Sequence, residues 1–312
     1  MSRDADFRVR FGRDLEIAVR ERPGRTLDAR ALGELVGELR QVAAREGKPL
    51  PAYGALAGDR ADLADRIVTV IYLRTTGEPI AFSALRYLDL DVAGTAERVV
   101  HLGLVYIHPA HRRRGLSRLL YGLPTFLLFF RAGMRPYWVS SVTQVPTVFG
   151  LVAEHYDGKF PSHDPCARQT FGHFLRARAI MRDHRAAFGV GPEAGFDEAR
   201  QIVTNAYTGG SDALKKSYAD APKHRNPAVN AFCRAALDYG RGDDFLQLGV
   251  WNLDSSLRLL RGLGPRSLTA RLVFRAALLL AVSVLVPITR WLIPARRPRA
   301  SAAAAARLEA GG

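Results

Sequence analysis

The sequence predicts a mixed α/β (α+β) protein, with a mostly antiparallel sheet flanked by helices and a helical C-terminal region. Three observations carry this. Residues 66–108 hold three consecutive strand-like segments divided by turns. Residues 99–121 (VVHLGLVYIHPAHRRRGLSRLLY) pass from an apolar strand through a short turn into a helix. A further strand and helix, 135–142 and 146–156, follow in the same order.

Taken in order, residues 7–20 alternate apolar and polar side chains in two pieces, FRVRF and LEIAVR, and the second reads as a first strand. Residues 25–45 place Leu27, Leu32, Leu35, Val36, Leu39 and Val42 on one broad helical face. Residues 48–58 carry two prolines and two glycines and form a loop, and 59–65 make one or two helical turns. RIVTVIYLR (66–74), PIAFSALRYLDL (79–90) and residues 98–108 are the three strands, with turns at 76–78 and 91–97. Residues 116–131 form a helix that Gly122 and Pro124 should kink or split. Its second half, TFLLFF, is apolar all round.

Residues 161–242 read as mainly helical, with pieces at 171–188, 196–207, 213–218 and 228–239. FLQLGVW (245–251) is a late strand. Residues 276–289 are fourteen uncharged positions. As a helix they rise about 21 Å, short of the roughly 30 Å hydrocarbon core. Extended to 272–294 the segment reaches spanning length, with Arg275 and Arg290 near its ends and Arg296, Arg297 and Arg299 just beyond. It suits either a buried core helix or a membrane anchor, and residues 272–299 offer an anionic membrane surface a basic face. The chain thus divides into residues 1–160, a mainly helical extension at 161–265, and the apolar segment with its basic, alanine-rich tail at 266–312.

Nearly half of the 312 residues are hydrophobic (48%), which excludes a disordered chain. The formal charge is +15, and forty of the 45 basic residues are arginine. Such a balance reflects either coding composition or attraction to polyanions such as nucleic acid, anionic lipid or a phosphorylated cofactor. The two cysteines, Cys166 and Cys233, are far apart, which argues against a disulfide framework and a cysteine-ligated metal. No metal site is expected from the histidine spacing either. The mixed-charge N-terminus lacks an apolar run, so a cytoplasmic location is expected, with attachment to the cytoplasmic face of a membrane through the tail as its variant.

The strand–turn–helix unit carries the chemistry. LGLVYIH delivers the chain, PAHRRRG exposes consecutive amides, and Gly115 lets a ligand approach the backbone. The helix starting near Leu116 adds unpaired N–H groups and the positive end of its dipole. Such a site grips a phosphate or pyrophosphate. The unit resembles motif A of the GNAT superfamily of acyl-CoA-dependent N-acyltransferases. Ile107-His108-Pro109 stands for its V-x-P, and Arg112-Arg113-Arg114-Gly115-Leu116-Ser117 for its [Q/R]-x-x-G-x-[G/A], with serine in place of the final glycine or alanine. The resemblance spans about residues 10–160 and makes 1–160 an acyl-CoA-binding domain.

The resemblance implies that the amides of Arg112 to Ser117 bind the pyrophosphate of acetyl-CoA or a longer acyl-CoA. It implies that Ile107 and Val105 lie along the pantetheine arm, with the Val105 amide aimed by a bulge at the thioester carbonyl. His101 occupies the position of the family's glutamate base and, as an imidazole, is expected to titrate near neutrality. Glu97 is the runner-up base. Tyr156 matches the family's thiolate-protonating tyrosine, although it stands four residues before Phe160 and lacks the Gly-Phe pair. The implied activity is acyl transfer to an amine acceptor in a ternary complex. The alternatives are a non-catalytic acyl-CoA-binding module and a basic nucleic-acid-binding protein.

Overall fold

The two alternating pieces at the start of the chain both become strands. β1 (Asp6–Phe11) and β2 (Leu15–Glu21) form an antiparallel hairpin, so FRVRF is a strand as well. This arrangement comes from a computed structural model that describes residues 4–263. A single turn, α1 (Pro23–Thr26), precedes α2 (Ala29–Ala44). The Asp28 side chain caps α2 by accepting from Ala31 N. Leu32, Leu35, Val36, Leu39 and Val42 are buried on its predicted face. The loop that follows holds a 3-10 turn at Gly54–Leu56 and the short α3 (Arg60–Leu63).

β3 (Arg66–Leu73), β4 (Pro79–Val92) and β5 (Thr95–Leu102) form the expected meander. The third predicted strand is interrupted and resumes as β6 (Val105–Ile107). α4 (Leu116–Arg131) leads to β7 (Tyr137–Thr143), α5 (Pro146–His155) and β8 (Asp157–Phe160). Next come α6 (Phe171–Asp183), β9 (Gly195–Asp197), β10 (Ile202–Thr204), α7 (Pro227–Ala236), β11 (Asp244–Trp251) and α8 (Leu253–Leu263).

The strands join one sheet in the order β1-β2-β3-β4-β5-β7-β11-β10-β9, with β6 on β4 and β8 on β11. Among the described residues, β5 with β7 is the parallel pair and the other pairs are antiparallel. α4, α5 and α8 cover one face through Leu116, Leu119, Leu120, Val152 and Leu259. On the other face α2 packs beside Val68, Val70 and Phe82, and α6 beside Leu88, Leu90 and Val99.

Three expectations are corrected. Pro124 neither splits nor ends α4, which runs unbroken from Leu116 to Arg131. Proline has no N–H for the carbonyl four residues back, that of Leu120. The buried Ser83 hydroxyl on β4 donates to that oxygen instead, at 2.7 Å. Ser83→Ala is expected to leave the carbonyl unpaired and to destabilise the protein by about 1–3 kcal/mol, read from urea unfolding; an unchanged midpoint would show that this contact is idle. The second correction concerns residues 196–207, which form the β9–β10 hairpin and not a helix. Gln201 there adopts a left-handed φ of 52°, and Asp197 accepts from Arg200 N, so the turn closes locally. The predicted helix at 213–218 reduces to a 3-10 turn at Asp212–Leu214.

Among the described residues no helix is long and apolar enough to cross a membrane. The apolar segment and tail at 266–312 lie outside the described residues.

Candidate functional site

The meander hands the chain to the turn through a fixed anchor. His108 N donates to Ile80 O at 2.8 Å, and Pro109–His111 make one 3-10 turn. Arg113 and Gly115 then take left-handed φ values of 64° and 75°. Residues that alternate into this region turn successive amides toward one side, the nest geometry that receives anions. Leu116 is buried and pins the first turn of α4, while no side chain caps that turn. A Cβ on Gly115 would meet nothing within 4 Å, so the space over the loop is open. Arg112 turns away from it, donating from Nε to Ile107 O at 3.2 Å and pairing with Glu46. Arg114 lies 2.9 Å from His111 Nδ1. What the loop can offer an anion therefore comes from the backbone and the helix dipole, with exposed Arg113, more than from all three guanidinium groups.

Beside the loop the sheet opens. β4 pairs with β5 in the register Arg86↔His101 but with β6 in the register Ser83↔Val105, so one extra residue is inserted at Gly103-Leu104. Gly103 is required at this bulge because a Cβ there would stand 2.2 Å from Ala84 O. The Tyr121 hydroxyl on α4 donates to Gly103 O at 3.0 Å. Parallel pairing of β5 with β7 ends at Leu102↔Ser141, and β6 pairs with β4 alone. β6 and β7 therefore part. Ala84 N bonds Leu104 O and His108 N bonds Ile80 O. By strand alternation the amides of Val105 and Ile107 then face away from β4, into the gap. Both side chains pack on the α4 side of the sheet.

The three expected catalytic side chains are not gathered at this gap. His101 ends up on the opposite face, 3% exposed, stacked on Phe188 and 3.0 Å from Ser140 Oγ. Burial, followed by the charges of Arg66 and Arg86, pushes its imidazole down to about 3, so the expected titration near neutrality is corrected. Glu97 sits near the start of β5, about 16 Å along the strand from its end, and both its oxygens are held by Arg176 at 2.7–3.1 Å. Tyr156 follows α5 and is 1% exposed, edge-on to Trp251. It lines a narrow crevice with Arg118, Tyr121, Gly122, His155 and Leu259, and burial raises its phenol far above the usual range.

Sequence reading missed a further set of groups. Asp244, the first residue of β11, is 5% exposed and accepts from the Tyr207 hydroxyl at 2.9 Å. Burial pushes its carboxyl up to about 7, against the opposing pull of the Tyr207 bond. Gln144, with its amide oxygen turned toward Tyr207, accepts from the same hydroxyl at 2.9 Å. That hydroxyl thus has two acceptors within reach, Asp244 Oδ1 and the Gln144 amide oxygen. Burial raises the phenol of Tyr53, and Tyr106 of β6 and Asp244 raise it further against the pull of Arg66. The loop that carries Tyr53 is tied across by Ala52 N to Gly210 O at 3.3 Å. The Asp243-Asp244 pair ahead of FLQLGVW was visible in the sequence, but its burial was not.

Among the described residues no three His, Cys, Asp or Glu side chains gather as a metal site. Residues 31–123 match the family model described as the acetyltransferase (GNAT) family. Among solved structures the chain is similar to nourseothricin acetyltransferase, at 20% identity, 25% of this chain, 41% of that chain and a TM-score of 0.20. It thus spans less than half of that protein. It is also similar to a ribosomal-protein-alanine N-acetyltransferase from Brucella melitensis biovar Abortus, at 19% identity, 38% and 75% coverage and a TM-score of 0.27. A third likeness is a probable GNAT-family acetyltransferase from Chromobacterium violaceum, at 14% identity, 50% and 77% coverage and a TM-score of 0.30. No curated protein matches the sequence.

Proposed function

We propose that the chain is a GNAT-type enzyme that transfers an acyl group from acyl-CoA to an amine, a reading that starts from the match of residues 31–123 to the acetyltransferase (GNAT) family model. The observation that carries the reading is the anion-binding loop at 112–117 standing beside a gap between β6 and β7. The amides around Gly115 and the dipole of α4 hold the CoA pyrophosphate. The pantetheine arm lies in the gap, where β6 has an edge free of β7 and can pair with it. The Val105 amide, aimed by the bulge, receives the thioester oxygen as charge develops there. Holding thioester and amine in one gap supplies much of the rate.

The amine nitrogen attacks the thioester carbon, a C–N bond forms, and the C–S bond breaks. The nitrogen must lose a proton. Neutral His101, held near 3, is a weak acceptor for it and positions Ser140 instead. Asp244, held near 7 and relayed through Tyr207, is matched to that task at neutral pH. Burial keeps the proton on Tyr156, which lines the crevice beside α4 and not the gap, so the departing thiolate takes its proton from solvent on release.

Isothermal titration with acetyl-CoA and longer acyl-CoAs, followed by free-CoA release with an amine panel, tests the reading. Absence of binding at millimolar ligand would refute it, and binding without CoA release would leave a non-catalytic module. Asp244→Asn is expected to lower kcat about 10²–10⁴-fold, as for loss of a general base, and to remove the rise of kcat/KM through pH 7. A linked stability readout accompanies it. An acid whose native value lies above its unfolded one holds its proton longer when folded. Wild-type stability therefore falls from about pH 4 to pH 7 and then levels, whereas the variant lacks this fall. Urea unfolding at the two ends of that window measures it, and equal slopes would sink the assignment.

A further inference from the structure

Between the α2 and α6 clusters a polar row crosses the sheet. Arg66 of β3 pairs with Arg86 of β4, Arg86 with His101 of β5, and His101 with Ser140 of β7. The row lies on the face opposite α4, at the level where β5 ends and the gap opens. Arg66 is 2% exposed on its side chain, yet it carries a guanidinium. Its Nε and Nη2 donate to Asp62, the latter at 2.9 Å, and Arg86 Nη1 pairs with the same carboxylate. Asp65 lies near Arg86 but is paired with Arg25. Two guanidiniums sharing one carboxylate leave an excess positive charge in a desolvated place.

Arg86 Nε is buried without a hydrogen-bond partner. A Cβ on Gly103 would stand 3.6 Å from Arg66 Nη1, the guanidinium nitrogen not turned to Asp62, so that nitrogen adjoins the bulge. Burial lowers both Arg86 and His101, and the charge of the pair adds to it: Arg66 pulls Arg86 down, and both pull His101 down. A buried unpaired donor such as Arg86 Nε, beside excess positive charge, is costly unless an anion completes it.

We propose that Arg66 and Arg86 bind an anionic group, a carboxylate or a phosphate, on the amine that accepts the acyl group. The inference rests on the acyltransferase reading only in naming the ligand as the acceptor. Acyl-CoA enters from the α4 side, where the loop and the Val105 side chain lie. The acceptor then approaches through the opposite face, along this row. An anion on Arg66 is held next to the bulge whose Val105 amide receives the thioester oxygen. The same positive field disfavours the ammonium form of the incoming amine, which helps it arrive as the free base.

The full-length protein is assayed for CoA release from acetyl-CoA with matched acceptors, glycine against glycinamide and O-phosphoethanolamine against ethanolamine. At least one anionic member is expected to be preferred by about tenfold or more in kcat/KM, as for a charge-assisted contact, and the two arms tell carboxylate from phosphate. Arg86→Gln should shrink the preference to about twofold, since one of two donors is lost. A second arm needs no catalysis: acetate at constant ionic strength should raise the melting temperature of the wild type more than that of Arg86→Gln. Asp62→Asn, which frees both guanidiniums, should strengthen the acetate effect, a sign opposite to that of simple destabilisation. Equal use of neutral and anionic acceptors, or equal acetate effects in all three proteins, would overturn the proposal. If acetyl-CoA fails to bind while acetate still discriminates the variants, the acyltransferase reading falls and the anion site stands.

Discussion

Gly115→Glu is expected to weaken acetyl-CoA binding at least about a hundredfold, which corresponds to about 2.7 kcal/mol, while the protein stays folded. Gly115 holds a left-handed φ of 75°, which costs a side-chain-bearing residue about 1–2 kcal/mol. Its Cβ direction is open, so nothing in the fold is displaced. A carboxylate at the start of α4 is itself favoured by the helix dipole, which offsets part of that strain. What it cannot tolerate is a second anion in the same place. Gly115→Ala separates the two effects, since it carries the strain without the charge and should lose far less affinity. Calorimetric titration measures both, and undiminished binding by the glutamate variant would show that the pyrophosphate lies elsewhere.

Gly103→Ala attacks the other half of the gap. Its new methyl would stand 2.2 Å from Ala84 O, a backbone atom that cannot swing aside. Overpacking of this kind costs about 1–3 kcal/mol, and a protein of this size loses about 2–4 °C in Tm per kcal/mol. The bulge must shift, and Val105 shifts with it. A displacement near 1 Å at a reacting centre costs about a hundredfold in rate, so turnover should fall far more than acyl-CoA affinity. The two glycines therefore predict opposite kinetic signatures, binding for Gly115 and turnover for Gly103. Equal loss in both quantities for Gly103→Ala would mean that the bulge does not aim the oxyanion donor.

Much of this was legible in the chain itself, because it depended on short-range pattern. The meander follows from β-branched runs and turn residues, and the strand–turn–helix unit from Pro109, Gly115 and the apolar spacing around them. What escaped depended on partners distant in sequence. Pro124 looks like a break until Ser83, forty-one positions earlier, supplies the missing donor. The segment at 196–207 has helical spacing, but Ile202 and Val203 pair with β11 and β9. His101 looks like a neutral-range base because the burial that suppresses it is imposed by distant elements, and the two arginines that add to the effect stand fifteen and thirty-five positions away. Asp244 looks like an ordinary acidic residue because its burial is imposed by the strands and loops around it.

The position of β11 has a consequence for how the chain is made. Tyr137 pairs with Trp251, and Thr143 with Phe245. During synthesis β7 therefore emerges with one bare edge and waits for roughly a hundred further residues before its neighbour arrives. Such long-range pairing is slow, and an unpartnered strand edge recruits foreign strands. The nascent protein is most exposed to misassembly in that interval, after the loop at 112–117 has been translated and before the sheet beside it can close.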